Sequence, residues 1–371
     1  MNDEMSGSGL IADIRGFGHL NTFLQEYHKE FSVENSSLSF YHLVSKQPEE
    51  FERELIWVGE RKSKFDIELE KIDEDRDRDL YSISIRHEKF KHTTEGDLLA
   101  IVNYDENLVQ ILSDEGTDVI DSCMAITNTM YPVFQRVYIS SDMMLGVLSS
   151  FPEAGYSGHC RQYSCQRWWE EGHKPKTLVE YPTEIPLDVV LDELNKPSIS
   201  LKMFHGYLTI DEEDVLEFYI SRDGEMKYRS GRFDLFEEIV TSIKKDMAEE
   251  FEKFNNISQD SNEPYLDITF QNIAEEKEQN IIIDRFREAV DTENTFGEAV
   301  IHSGNPYYHS SVSDRASGSS FDIIFARENS DFQLKILPNY DISSLTILKF
   351  KKTIFSEFGE GDIKRISQRG D

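Results

Sequence analysis

The chain is predicted to be an α+β protein, with antiparallel sheets and helices packed on one face, built from two or three strand–hairpin–helix repeats. Three observations predict it. "KFDIELEK" alternates Phe65, Ile67 and Leu69 with Asp66, Glu68 and Glu70, the period of a strand with one buried face. Asp223-Gly224 separates two strand-like runs, a strong hairpin signal. Phe236, Ile239, Val240, Ile243, Met247, Phe251 and Phe254 recur at three- and four-residue spacings across 233–256, the apolar stripe of a long helix.

Taken in order, Leu20, Phe23, Leu24, Tyr27 and Phe31 predict a helix over 18–31. Pro48 in a first turn, with Phe51, Leu55 and Val58 on one face, predicts a second over 48–58. "DEDRDRD" at 73–79 reads as a solvated turn. "SISI" at 82–85 is followed by a hairpin over 97–112 that turns at Asp105-Glu106-Asn107. "SISL" at 198–201 is followed by a hairpin over 214–229 that turns at Asp223-Gly224. A helix follows each; in the first, Val119, Cys123, Ile126 and Met130 share a face. A third copy takes "YLDITF" at 265–270 as its strand, 321–338 as its hairpin and 343–358 as its helix. Between these parts lie a helix near 280–291 and a Gly/Ser-rich loop, "HSGNPYYHSSVSDRASGSS".

This organisation predicts an N-terminal α+β domain over 1–150, a Cys-, Trp- and Pro-containing connector over 151–197, a C-terminal α+β domain over 198–358 and a polar tail over 359–371.

The chain has 71 acidic and 39 basic residues, a formal charge of −32. That charge disfavours generic binding to nucleic acid or anionic membranes. A solvated acidic surface, a high-salt cytoplasm, and a surface that meets a basic partner or mimics nucleic acid all fit it. Lysine is not depleted against arginine, at 21 to 18, which weighs against the salt reading. The N-terminal residues lack the pattern of a secretory signal, and no apolar run approaches the roughly 18 residues of a membrane span. Three cysteines in 371 residues make no disulfide framework. The expectation is a cytoplasmic protein with reduced thiols.

"GHCRQYSCQRWWEEGHKPK" at 158–176 stands apart, because it is rich in basic residues within an acidic chain. Cys160, Cys165, His173 and His159 are the residue types that bind zinc, although the Cys-x4-Cys spacing is wide and no second pair follows. A plainer reading buries the cysteines as small apolar residues while Trp168 and Trp169 anchor a loop. A third makes Trp168, Trp169, Arg161 and Arg167 a partner-binding loop, since aromatics beside arginines form interface hot spots.

The hairpin "FDIIFARENSDFQLK" opens one strand with Asp322 and carries Gln333-x-Lys335 on the next. This resembles the PD-(D/E)xK nuclease motif over about 15 residues. The resemblance implies a divalent cation such as magnesium held by acids, with lysine steadying the attacked phosphate. Glu288, on the preceding helix, would be a further ligand. Glutamine in place of glutamate leaves fewer carboxylates around the metal. The alternative makes Asp331, Gln333 and Lys335 the wet face of an amphipathic hairpin. Glu225-x-Lys227 has similar letters, but Asp214 would pair far from it.

The chain has no phosphate loop, no Gly-x-Ser-x-Gly elbow and no His-Glu-x-x-His. The expected function is therefore that of an acidic interaction or regulatory protein that binds a protein partner and has no complete catalytic constellation. The alternatives are a metal-dependent nuclease or phosphodiesterase at Asp322, Gln333 and Lys335, and a zinc-binding protein through 159–173.

Overall fold

A computed structural model describes residues 10–30, 37–89, 92–167, 176–180, 185–194, 199–211, 213–255, 265–270, 279–291, 295–303, 307–328, 331–339 and 342–366. After a 3-10 turn at Leu10–Asp13 come α1 (Phe17–Glu30), β1 (Leu38–Ser45) and α2 (Phe51–Arg61). A meander follows, β2 (Phe65–Glu74), β3 (Arg78–Glu88), β4 (Thr93–Asn103) and β5 (Leu108–Ser113), then α3 (Thr117–Thr129). The middle of the chain forms β6 (Phe134–Arg136), α4 (Ser141–Glu153), β7 (Ser157–Arg167), β8 (Lys176–Glu180), β9 (Ile185–Pro186) and α5 (Leu187–Leu194). It continues with β10 (Ile199–Ile210), β11 (Glu213–Ser221), β12 (Glu225–Gly231) and α6 (Phe233–Asn255). The last part holds β13 (Tyr265–Phe270), α7 (Gln279–Asp291), β14 (Phe296–Ser303), β15 (Tyr307–Asp314), β16 (Ser320–Glu328), β17 (Asp331–Pro338), α8 (Ser344–Phe358) and β18 (Asp362–Ile366).

The α+β class holds, with antiparallel pairing throughout two sheets. The larger runs β2-β3-β4-β5-β1-β12-β11-β10-β7-β8, with β6 on β1 and β9 on β7; the smaller runs β14-β15-β16-β17-β13-β18. The predicted turns form where local chemistry allows them. Asn107 closes β4–β5 at φ 55°, a left-handed conformation that asparagine tolerates. Gly224 closes β11–β12 at φ +83°, where a Cβ would meet the Val137 carbonyl at 2.7 Å.

The helices are not confined to one face of the larger sheet. Along β1, Leu38, Phe40 and Val44 join the core under α1, α4, α5 and α6, while Tyr41 and Leu43 join the core under α2 and α3. The alternation of a strand thus buries both faces of this half of the sheet. In the smaller sheet Leu266, Ile323, Phe325, Leu334 and Ile336 turn to one face, under α7 and α8. Among the described residues, no helix is long and apolar enough to cross a membrane.

Three expectations about organisation need correction. The sheets divide between Gly231 and Tyr265, and residues 151–197 do not part them, because β7 pairs with β10 along its length within the larger sheet. The Gly/Ser-rich stretch contains β15, whose Tyr308, Ser310, Val312 and Asp314 point inward; small polar residues at alternate positions had hidden the strand period. It is β15 that flanks the hairpin β16–β17, whereas β13 lies beyond β17 as β1 lies beyond β5. Strand, helix, four-strand meander and helix follow in the same order in both places.

The supposed polar tail contains a strand, β18, and a buried acid, Glu360. The Glu360 carboxylate accepts hydrogen bonds from the Ser141 backbone N–H at 2.7 and 2.8 Å and from the Tyr138 hydroxyl at 3.1 Å. The Arg222 guanidinium lies 3.8 Å away. Arg222, 4% exposed, also donates to Gln166 Oε1 at 2.9 Å and to the Leu201 carbonyl at 3.3 Å, and it bonds the Ser200 hydroxyl. Gln166 Nε2 donates to the Ser356 carbonyl at 2.9 Å. The network ties the larger sheet to α8 and β18. Burial pushes the Glu360 carboxyl above its usual range, against the pull of Arg222, the Ser141 N–H and Lys351. A buried ion pair missing one partner leaves an uncompensated charge, at a cost of about 3–5 kcal/mol. Arg222→Met is therefore expected to lower unfolding free energy by about that amount in urea titrations. Arg222→Met combined with Glu360→Gln should lose less than the sum of the single variants; strict additivity would show that the two groups do not act as a pair.

Candidate functional site

The cysteine segment is a strand. Pairing between β7 and β10 shifts register at Arg161, so that Cys160 falls on the same face as Tyr163 and Cys165. This bulge turns both thiols into the core, at 1% and 0% exposure. Five residues of extended chain span about 16 Å, too far for Cys160 and Cys165 to ligate one zinc ion. His159 is half-buried, while His173, Trp168 and Trp169 lie outside the described residues. The backbone of Arg167 ends β7, opposite Ile199 and Lys176.

Arg161 is exposed. It bonds the Tyr207 hydroxyl and donates to Glu217 Oε1 at 3.1 Å, and His205 Nε2 lies 2.8 Å from the same oxygen. Burial raises the Glu217 carboxyl, but the bond and charge of His205 and the charges of Arg161 and Arg229 outweigh it and hold the group below its usual range.

On the hairpin β16–β17, Asp322 stands opposite Leu337, Lys335 opposite Ile324 and Gln333 opposite Ala326. Asp322, Gln333 and Lys335 therefore share the polar face, as an amphipathic hairpin dictates. Glu288 does not join them. It is an exposed residue of α7, which packs Ile282, Phe286 and Val290 on the apolar face, so the sheet stands between. Asp322 meets His309 Nε2 and Asn339 Nδ2, each at 3.2 Å. Lys335 stands opposite Asp267, and Asp267 opposite Lys364. Among the described residues, no three His, Cys, Asp or Glu side chains are grouped to hold a metal ion.

Two concavities lie where the sheets meet. One, of about 380 Å³, is walled by the start of α4 (Ser140, Asp142, Met143) and the end of α6 (Asp246, Glu249, Glu250, Lys253, Phe254). Leu266 of β13 and Ile363 of β18 complete it. Asp246, Glu249, Glu250 and Lys253 follow helical spacing beside the core stripe, and Glu250 is bonded by the buried Lys351. Burial, then the charge of Glu249, raises the Asp246 carboxyl against the pull of Lys245 and Lys253. The second, of about 570 Å³, lies between the α3–β6 segment and the helices α7 and α8.

Sequence reasoning missed both, because their walls come from segments some 100 to 220 residues apart. The only local signals were the secondary stripes of α6 and of α8, where Lys349, Lys352, Thr353 and Ser356 share a face.

The burial of the thiols has a direct consequence. Cys123, Cys160 and Cys165 are all buried and form no disulfide, and burial pushes the Cys123 thiol up to about 12. None is expected to react with a thiol-specific disulfide reagent in the native protein, and all three should react in denaturant. Rapid native labelling of Cys160 or Cys165 would contradict their placement.

Compared with known proteins, the chain matches no described protein family and no curated sequence.

Proposed function

We propose that the protein is a non-catalytic docking protein that captures a basic segment of a protein partner in the acidic groove between α4, α6, β13 and β18. The observation that carries this reading is the wall of Asp142, Asp246 and Glu249 beside the partly exposed apolar side chains of Met143 and Ile363. Lysine and arginine need both surfaces, a carboxylate for the charged head and apolar area for the methylene stem. Asp246 is ionised at a cost, since burial and Glu249 both oppose its charge. A bound cation would relieve that repulsion, so the groove favours occupancy by positive charge. The chain's charge of −32 adds long-range steering, which accelerates encounter and weakens with salt.

A fluorescently labelled lysine/arginine-rich peptide is expected to bind saturably at low ionic strength and about tenfold more weakly at high salt, the behaviour of electrostatically steered association. Asp246→Asn should weaken binding several-fold. The same variant should leave Tm unchanged or raised. The sign follows from the raised native carboxyl: its ionisation opposes folding, so its contribution to stability is lost as pH rises through that titration. Binding has the opposite dependence, falling as acid protonates Asp246 above the range of an ordinary aspartate, about pH 4. Equal affinity of wild type and Asp246→Asn for the peptide would exclude this groove.

A further inference from the structure

We infer that the second concavity, between the α3–β6 segment and α7–α8, is a binding site for a small phosphate-bearing molecule with a polar body. Acids outnumber bases 71 to 39 across the chain, yet this cleft reverses the ratio. Among the described residues, Arg136, Lys349 and Lys352 line it with one carboxylate, Glu357. Glu357 Oε1 is already held by Arg285, at 3.0 Å from Nη2 and 3.2 Å from Nε. It therefore does not neutralise the three cations, although Lys349 also has the buried Asp314 carboxylate at 4.0 Å.

Each cation is placed by the fold. Arg136 ends β6, and its Nε is buried with no hydrogen-bond partner. Arg136 is otherwise half-buried; with Nε closed to solvent, phosphate oxygens would be met by the outer nitrogens of its guanidinium fork. Lys349 and Lys352 are three residues apart and so share a face of α8. The Lys349 ammonium sits 3.6 Å from the Tyr131 ring centre, and Lys352 lies 3.4 Å from Asp223. The charges of Lys352 and Arg136 hold the Asp223 carboxyl low despite its burial, so Asp223 offsets part of the positive charge at this end of the cleft.

The remaining chemistry selects the ligand. A volume of about 570 Å³ lies within the range of small-molecule sites, about 300–1,000 Å³. Thr353 and Ser356 continue the lysine face of α8 with hydroxyl groups. Of the aromatic rings that border the cleft, Phe134 and Phe296 are 0% and 1% exposed, and Tyr131 has the Lys349 ammonium over one face, which leaves little stacking surface. The walls thus suit phosphate and hydroxyl groups, as in a sugar phosphate, better than a flat aromatic base. Phosphate would displace water and compete with Asp223 for Lys352, without any covalent step.

This inference is independent of the acidic groove, whose residues it does not use. Calorimetric titration of the full chain with inorganic pyrophosphate at low ionic strength tests it. One equivalent is expected to bind with submillimolar affinity. Arg136→Ala should weaken binding at least tenfold and Lys352→Gln at least threefold. Citrate, a polyanion without phosphate geometry, should bind at least tenfold more weakly than pyrophosphate. Lys352 is partly exposed, so its variant tests the site even if Arg136→Ala fails to fold. Absence of saturable pyrophosphate binding, citrate binding as tight as pyrophosphate, or wild-type affinity in Lys352→Gln would each overturn the assignment.

Discussion

The two sheets are held in register by charges that neither could bury alone. Glu360 lies between them, capped by the backbone N–H of Ser141 and facing Arg222. Ser141 opens α4, where unpaired N–H groups and the helix dipole favour negative charge and offset part of the cost of burying the carboxylate. Arg222 in turn gathers Gln166, Ser200 and the Leu201 carbonyl. Such a network is a costly way to gain stability, since desolvating both charges offsets much of their attraction. It is an effective way to specify one arrangement, because any slip leaves a charge buried without a partner.

Both concavities depend on that arrangement. The acidic groove takes one wall from α4 and α6 and the other from β13 and β18, the strands that flank Glu360 in space. The basic cleft takes one wall from 127–136 and the other from 289–357. The buried Lys351 links the two, since it rises from α8 to bind Glu250 at the groove. The seam therefore presents negative charge on one side of α8 and positive charge on another. A protein of charge −32 needs such local structure to offer anything but uniform repulsion to an anion.

Where one residue's neighbours in sequence decide its environment, the chain was readable. The alternation of 64–71 became β2, the stripe of 233–256 became α6, and Asn107 and Gly224 mark the turns. Where the environment is set by distant chain, reading failed. Glu360 looked like part of a solvated tail because nothing nearby reveals Arg222. β15 looked like a loop because serine fills inward positions that only the packed structure shows to be buried. Cys160 and Cys165 looked like a ligand pair because the bulge at Arg161, which aligns them toward the core, has no local sequence signature. The hairpin bearing Asp322 and Lys335 formed from the two runs that predict it, but the side of the sheet taken by Glu288 was set by α7 packing. No residue of either concavity carries a functional signal in the sequence, since each wall is assembled only when the sheets dock.

Hydrogen–deuterium exchange of the full chain, with and without a lysine/arginine-rich peptide, tests the seam as the working surface most directly. New protection should be confined to the first turns of α4, the C-terminal half of α6, β13 and β18. Protection on the polar faces of β7–β10 or β16–β17 instead, with the seam unchanged, would contradict the assignment of function to the junction of the two sheets.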